Sequence, residues 1–291
     1  MLQVRPPAVA GTFYPAEPDA LRAMVGEYLA AARFPGAAPI ALIVPHAGYA
    51  YSAVVAAAAY GRVAACGAAF RRVVLVGPAH RAPVRGLATS SARAFATPLG
   101  LVPVDHPAVT SILSLPRVAV DDAAHAPEHS LEVQLPFLQT ALADFNLVPL
   151  LVGDATPREV LEVLEALRDG PETLVVVSTD LSHHLDYEAA RRLDLATSRA
   201  IEALRPEDIR PRQACGWTGL VALLELARRH ELRVEMLAVR NSGDTGGPRH
   251  KVVGYGAYAV YPVSEPLAQV DLECGQGADL LALAGRHSCS Y

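Results

Sequence analysis

The sequence predicts an α/β fold, in which a single domain has a central, largely parallel sheet flanked by helices. The first observation is that short β-branched runs alternate with segments of helical spacing along most of the 291 residues. Strands that alternate with helices favour a parallel sheet covered on both faces. The second is composition, because 52% hydrophobic and 19% charged residues supply a large core. That composition excludes a disordered or fibrous chain.

The predicted strands are short runs rich in valine, leucine and isoleucine. In order they are 41–44, 72–76, 147–152, 173–177, 234–239 and 252–261. Apolar residues at i, i+3, i+4 and i+7 predict helices between them, over about 21–29, 157–167 and 217–230. The second helix begins with Thr156, Pro157 and Glu159, which predict a capping box with proline at the first helical position.

The last thirty residues differ in character from the rest. Pro262 and Pro266 interrupt regular structure, and several glycines follow. Cys274, His287 and Cys289 fit no standard zinc spacing, so we expect a loose tail here rather than a metal clip. The sequence therefore predicts one α/β domain over residues 1–261 and a loosely ordered C-terminal tail over residues 262–291.

Charge and cysteine content limit the partners and the compartment. The net charge is −5 and Lys251 is the single lysine, a balance that predicts no nucleic-acid or anionic-membrane partner. The N-terminus has no signal-peptide pattern, and Pro45, His46 and Gly48 interrupt the longest apolar stretch. Four scattered cysteines without a CxxC pair make a disulfide framework improbable in a domain of this size. We expect a cytoplasmic protein that does not enter a membrane.

Histidines follow the first, second and fourth predicted strands, close to the point where each strand ends. The first strand leads into His46, the second into His80, and the fourth into a polar segment that contains Asp180 and His183. Ligands of open parallel sheets bind outside the carboxyl ends of the strands. The three histidines therefore predict one shared site, and imidazole groups suit either metal binding or proton transfer.

Further candidates stand at the starts of two helical segments. Cys215 precedes the helix 217–230, where a helix N-terminus would stabilise the thiolate that binds metals; the alternative is a buried cysteine that acts as a small hydrophobe. Glu128 and His129 precede an apolar helical segment and could contact or orient a substrate, although helix capping by Glu128 explains that carboxylate equally well. Cys66 is expected to be structural.

The remaining polar features are expected to be structural or exposed. The glycine-rich segment 241–247 lacks the lysine of a Walker loop and predicts a turn. Polar surroundings predict surface positions for four histidines, which are His106, His125, His230 and His250.

Five segments together resemble the Memo family, also called AmmeMemoRadiSam system protein B. They are 8–15, 45–49, 77–80, 128–132 and 178–183, and their order and approximate spacing agree over about residues 5–261. The family's fold is similar to that of LigB-type class III extradiol dioxygenases, which hold non-haem iron(II) with two histidines and a glutamate. The resemblance therefore implies a LigB-dioxygenase-like fold, and the tail falls outside it.

The resemblance also implies roles for individual residues. His46 and His80 match the family's metal-site histidines, and Cys215 matches its metal-site cysteine. His183 matches a histidine placed where the dioxygenases keep an acid/base group, and Asp180 lies beside it.

These matches lead to a set of predicted site residues. We predict His183, Asp180 and His129 as catalytic residues. We predict Glu128 and Tyr49 as substrate-binding residues. A cysteine stands where the dioxygenases have a carboxylate ligand, which puts catechol ring cleavage in doubt. Two imidazoles and a thiolate form a softer site, which holds iron(II) most naturally in this fold and also suits copper or zinc.

Three functions follow from these expectations. The first is a non-haem iron or copper dependent oxidoreductase that acts on an unknown small molecule or peptide. The second is a metal- or peptide-binding protein without enzymatic activity. The third is a zinc-dependent hydrolase. The family name further implies association with a radical-SAM protein and an AMMECR-domain protein, and the apolar composition allows a homodimer.

Overall fold

The computed structural model describes residues 3–32, 34, 36–66, 70–168 and 170–263. Most of the predicted C-terminal tail, including Cys274, His287 and Cys289, lies outside the described residues. The strands are β1 Val4–Arg5, β2 Ala41–Val44, β3 Arg72–Pro78, β4 Leu87–Thr89, β5 Ala94–Thr97, β6 Gly100–Pro103, β7 Val118–Val120, β8 Asn146–Val152, β9 Thr173–Ser178, β10 His183–Leu185, β11 Leu232–Asn241 and β12 Val252–Pro262. The α-helices are α1 Pro18–Ala31, α2 Tyr49–Cys66, α3 His106–Ile112, α4 Asp122–His125, α5 Leu135–Ala141, α6 Pro157–Leu167, α7 Tyr187–Glu202 and α8 Trp217–Arg229.

A mixed sheet with helices packed against it forms the centre of the fold, which confirms the predicted α/β class. Its strand order is β10-β12-β2-β9-β3-β8-β4-β7, and β11 pairs with the free edge of β12. Strands β2, β9, β3 and β8 are parallel neighbours. The predicted parallel character is only partial, because β12, β11, β10 and β4 join through antiparallel pairs. The short connection from β11 to β12 explains part of this difference, since antiparallel strands need no crossover helix.

The six predicted strands and three predicted helices are present, and their ends differ from the predicted ones by at most three residues. Helix α6 begins with the predicted capping box, in which the Thr156 side chain accepts from the Glu159 N–H. Strands β2 and β9 are buried along their whole length, as expected for the centre of a sheet covered on both faces. None of the helices in the described part of the chain is long and apolar enough to cross a membrane.

A second, three-stranded sheet in the order β1-β5-β6 holds the beginning of the chain against the domain. Beside it lies His125, whose predicted surface position is wrong. The ring is buried, its Nε2 lies 3.0 Å from the carbonyl oxygen of Ala88, and it meets Phe95 edge-on at 5.6 Å. Burial lowers its pKa to about 4, so the ring is neutral and behaves as a core residue.

Candidate metal centre

The candidate centre lies at the carboxyl edge of the three central parallel strands. Because β9 pairs with both β2 and β3, the residues that follow these strands emerge side by side. His46 follows β2, His80 follows β3, and Asp180 follows β9. Cys215 reaches the same place from the turn before α8, where its N–H donates to the carbonyl of Asp180 at 3.2 Å. Sheet topology thus brings together residues that are far apart in the sequence.

His46 is held in one tautomer by a buried hydrogen-bond chain. The hydroxyl of Ser178 donates to the carbonyl of Ser130 at 2.6 Å, so this oxygen can only accept from its other neighbours. Nδ1 of His46 lies 2.8 Å from it and must be the protonated nitrogen. Nε2 therefore keeps its lone pair and faces the Sγ of Cys215 at 3.3 Å. Burial, with help from His80 and His129, lowers the pKa of His46 well below its usual range, which keeps the ring neutral.

His80 is oriented by the carboxylate of Glu128. Its Nδ1 lies 3.1 Å from Oε1 of Glu128, which leaves Nε2 as the free ring nitrogen. Burial alone would raise the pKa of Glu128, but the close His129 and His80 rings and the backbone N–H groups that donate to the carboxylate hold it well below its usual range. The ionised carboxylate can only accept, so His80 donates through Nδ1. A carboxylate behind a ligand histidine is a common way to fix the ring and raise its basicity.

Cys215 is partly exposed and stands just before α8. Its Sγ accepts from the backbone N–H of Asp180 at 3.2 Å. Burial and the nearby Asp180 carboxylate raise the pKa of Cys215 to about 12, against the weaker effect of that N–H. Without a metal ion these surroundings favour the protonated thiol, and the predicted metal-binding thiolate stays a prediction. A metal ion is the group that can displace such a proton, because thiolates bind metals far better than thiols do.

The donor set of His46, His80 and Cys215 fits a metal ion. One ligand atom from each residue lies within 4.8 Å of the others. The 3.3 Å from Nε2 of His46 to Sγ is near the ~3.5 Å that separates nitrogen and sulfur donors of one tetrahedral ion. His80, Glu128 and His129 form a second close group. That group fits poorly, because both oxygens of Glu128 already accept N–H groups from the surrounding backbone.

The predicted acid/base pair is arranged differently from the expectation. Oδ1 of Asp180 accepts from the backbone N–H of His46 at 2.8 Å, so this carboxylate positions the start of the His46 loop. Burial raises the pKa of Asp180, while that N–H and neighbouring histidines oppose the shift. His183 is exposed at the start of β10, close enough for its charge to act on both His46 and Asp180. Its role as an acid/base group stays a prediction.

His129 and Tyr49 form part of the wall around the centre. The His129 ring stacks on His80 with centroids 4.9 Å apart and meets His46 edge-on at 5.6 Å. Its Nδ1 lies 3.1 Å from Oε1 of Glu128, without the alignment of a hydrogen bond. Tyr49 is buried at the start of α2, and its hydroxyl donates to the carbonyl of Val133 at 2.8 Å. The predicted substrate contact of Tyr49 gains no support from this position.

A cavity of about 250 Å³ adjoins Cys215 between the ends of the strands and the start of α8. Its walls are mostly small residues and backbone, among them Gly77, Ala79, Gly153 and Gly219. A Cβ on Gly77 would meet the Leu131 side chain at 2.8 Å and the Ser130 hydroxyl at 2.9 Å, so a larger residue here would require both side chains to shift.

Sequence reasoning missed the residues that hold the ligand histidines in place. Ser178 accepts from Nε2 of Gln134 at 2.9 Å, and the same nitrogen donates to Pro45. The hydroxyl of Tyr60 donates to Oε1 of Gln134. The sequence did contain one indication of these supports, because Gln134 lies inside an otherwise apolar segment. A buried amide needs hydrogen-bond partners for its polar atoms, so such a glutamine indicates a buried polar network.

Comparison with known proteins places this geometry in context. A family model described as Memo-like protein matches residues 5–259. A MEMO1 family protein of Thermotoga maritima is 35% identical over 276 residues, covering 86% of this chain and 97% of that relative. A MEMO1 family protein of Archaeoglobus fulgidus is 37% identical over 268 residues, covering 87% of this chain and 97% of that relative.

One solved structure, described as an uncharacterized protein from Escherichia coli K12, shares 14% identity with a TM-score of 0.49. It covers 75% of this chain and 98% of the other. A similarity at this level carries no argument about mechanism, and the LigB-like fold stays a prediction.

Proposed function

The chain belongs to the Memo family, and from that premise we propose that it is a metal-dependent oxidoreductase acting on an unidentified small molecule. The observation that carries the proposal is the convergence of two imidazole nitrogens and one thiol, with both histidine tautomers set by hydrogen bonds. Non-haem iron(II) is the proposed metal, and copper or zinc would suit the same donors. Iron(II) held by three protein ligands would supply redox chemistry with positions open to oxygen or substrate.

The residues around the centre have separate roles in this proposal. Nε2 of His46, Nε2 of His80 and Sγ of Cys215 bind the metal. Ser178 and Glu128 keep the two rings in the ligating tautomer. His183, exposed at the rim, exchanges protons between the substrate and solvent, because imidazole can both accept and donate a proton.

The cavity beside Cys215 is the proposed substrate site. Its volume of about 250 Å³ admits only a small molecule. Phe13 packs on His129 with ring centroids 4.9 Å apart, and His129 in turn contacts both candidate ligand histidines.

A zinc hydrolase is the weaker proposal because, of the two groups that could act as its general base, Glu128 and His183, only His183 suits that role. Glu128, one of the two bases that such an enzyme would use, accepts N–H groups through both oxygens and has a pKa far below neutral. A base with that pKa accepts a proton poorly at pH 7. Partnership with a radical-SAM protein and an AMMECR-domain protein stays a prediction from the family name.

Metal content measured by mass spectrometry is the first test. The protein is purified without oxygen, reconstituted with iron(II), copper(I) or zinc, and desalted. We expect near-stoichiometric metal in the wild type and a loss of at least 90% in His46→Ala and Cys215→Ala. Cys66→Ala is the matched control, because Cys66 lies at the end of α2, outside the candidate centre. Its thiol donates a hydrogen bond to the Val63 carbonyl.

Two outcomes would count against the proposal at different levels. Full metal occupancy in Cys215→Ala would remove the ligand assignment. Tight iron binding without oxygen consumption or substrate oxidation would remove the redox activity and leave a metal-binding protein. Hydrolysis of simple esters by the zinc-loaded form alone would favour the hydrolase.

A further inference from the structure

A groove of about 530 Å³ lies between α7 and the loop that joins β11 to β12. Strand β11 is antiparallel to β12, which is antiparallel to β2, so β11 runs parallel to β2 and ends at the same edge of the sheet. The loop after β11 also reaches α2, where the hydroxyl of Thr245 donates to the Tyr51 carbonyl at 3.3 Å. The groove therefore opens on the edge where ligands bind in such sheets.

Three arginines line this groove in a chain whose net charge is −5. Arg191 comes from α7, Arg240 from the end of β11 and Arg249 from the loop before β12. Arg191 has an exposed ion pair with Glu188 at 3.5 Å. Among the residues that the structure describes, Arg240 and Arg249 have no carboxylate within ion-pair distance.

The two acidic residues of the groove do not neutralise these arginines. Asp244 accepts from the Tyr187 hydroxyl at 2.6 Å through one oxygen and from the Asn241 N–H at 2.9 Å through the other. Asp194 is buried and accepts from the Ser182 N–H at 3.0 Å. Asp244 therefore has partners for both oxygens and Asp194 for one, whereas the guanidinium groups of Arg240 and Arg249 have no carboxylate partner among the described residues.

Two of the three arginines contact the aromatic ring of Tyr187. The guanidinium carbon of Arg249 lies 4.4 Å from the Tyr187 ring centroid, and that of Arg191 lies 5.8 Å from it. The Tyr187 N–H also donates to the Arg249 carbonyl at 2.9 Å, which fixes the loop against the helix. Stacking restricts the guanidinium groups and leaves their N–H edges available to an anion.

We propose that this groove binds a small multivalent oxyanion, either a polyphosphate or a polycarboxylate. Guanidinium groups pair with phosphate and carboxylate oxygens through two parallel hydrogen bonds, so arginines on facing walls suit a ligand with at least two anionic groups. The proposal concerns residues other than the candidate metal ligands and does not rest on the proposed redox function.

Titration calorimetry with inorganic pyrophosphate and with citrate tests the proposal. The experiment uses the Cys215→Ala protein treated with chelator, because both probes bind metal ions themselves. We expect saturable binding of one probe, weakened at least about tenfold in the double variant Arg240→Gln, Arg249→Gln. The probe that binds more tightly distinguishes a phosphate ligand from a carboxylate ligand.

Two further variants separate binding from general charge and from folding. Arg158→Gln removes one positive charge, against two in the double variant, from an exposed position on α6 and should leave the affinity within about twofold. Asp244→Asn removes a negative charge from the groove and should strengthen binding, which a merely destabilised loop would not do. Absence of saturable binding of either probe up to about 10 mM, or equal affinity in the double variant, would overturn the proposal.

Discussion

Glu128 and Glu132 lie four residues apart in one segment, and both are buried, yet they stabilise different parts of the molecule. Glu132 pairs with Arg5 and accepts from the Ala8 and Val9 N–H groups and the Tyr14 hydroxyl. It thereby holds residues 4–14, which we call the N-terminal arm, against the domain. Glu128 instead orients His80 at the candidate centre. Glu128 and Glu132 are the same residue type and are equally buried. Only their hydrogen-bond partners show that Glu132 stabilises the fold whereas Glu128 positions a candidate ligand.

Asp194 extends the comparison to a carboxyl group with few donors. Its Oδ1 accepts from the Ser182 N–H, and its buried Oδ2 has no hydrogen-bond partner. Burial raises the pKa of Asp194 to about 6, despite the hydrogen bonds from Ser182. Glu128 is shifted in the opposite direction because it accepts several N–H groups. The number of donors therefore decides whether a buried carboxyl group stays ionised.

The largest effect is expected for Glu132→Gln, which leaves the buried Arg5 without an opposite charge. We expect the free energy of unfolding to fall by about 3–5 kcal/mol, measured by urea denaturation. Glu162→Gln is the control, since its ion pair with Arg158 is exposed and should contribute less than about 0.5 kcal/mol. Equal effects of the two substitutions would contradict a structural role for Glu132.

A smaller effect, dependent on pH, is expected for Asp194→Asn. Because the folded pKa of about 6 exceeds the ordinary value of 3.8, the folded state binds the proton more tightly, and wild-type stability falls as pH rises from about 4 to 6. We expect the variant to match the wild type near pH 4 and to exceed it by about 2–3 kcal/mol at pH 7. Parallel stability curves from pH 4 to 7 would show that Asp194 does not titrate in this range.

Glu128→Gln should affect metal affinity more than stability, in contrast to Glu132→Gln. Loss of the carboxylate removes the partner that orients His80, and such substitutions cost about 10–100-fold in affinity. Competition with a chromophoric chelator measures this change, and urea denaturation of the same sample reports stability. Unchanged affinity in a folded variant would reduce Glu128 to a purely structural role.

The smallest effect is expected for Ser178→Ala, because Gln134 still donates to the Pro45 carbonyl just before His46. Removal of the hydroxyl takes away the acceptor for Nδ1 of His46 and leaves its tautomer less restricted. We expect metal affinity to fall by about tenfold or less. A larger loss than in Glu128→Gln would reverse the order proposed for the two histidine supports.

The sequence predicted the three candidate ligands that the fold brings together, Cys215 only through the family resemblance, but it did not predict the residues that support them. His46 and His80 follow apolar strands whose ends are marked by glycine or proline, so their position at one edge of a sheet was predictable. The antiparallel pairing of β12 with β2 was not, because nothing in an apolar run encodes the direction of its neighbour. The contact from Asp180 to the His46 N–H depends on tertiary packing that local patterns do not contain.

The attachment of the N-terminal arm has a consequence for the order of events during synthesis. Arg5 and Glu132 are 127 residues apart, so the arm leaves the ribosome long before its anchor exists. At typical elongation rates that interval is on the order of 10 s. Phe13, which packs on His129, belongs to the N-terminal arm. One wall of the candidate centre therefore stays open in the nascent chain until the middle of the protein has emerged.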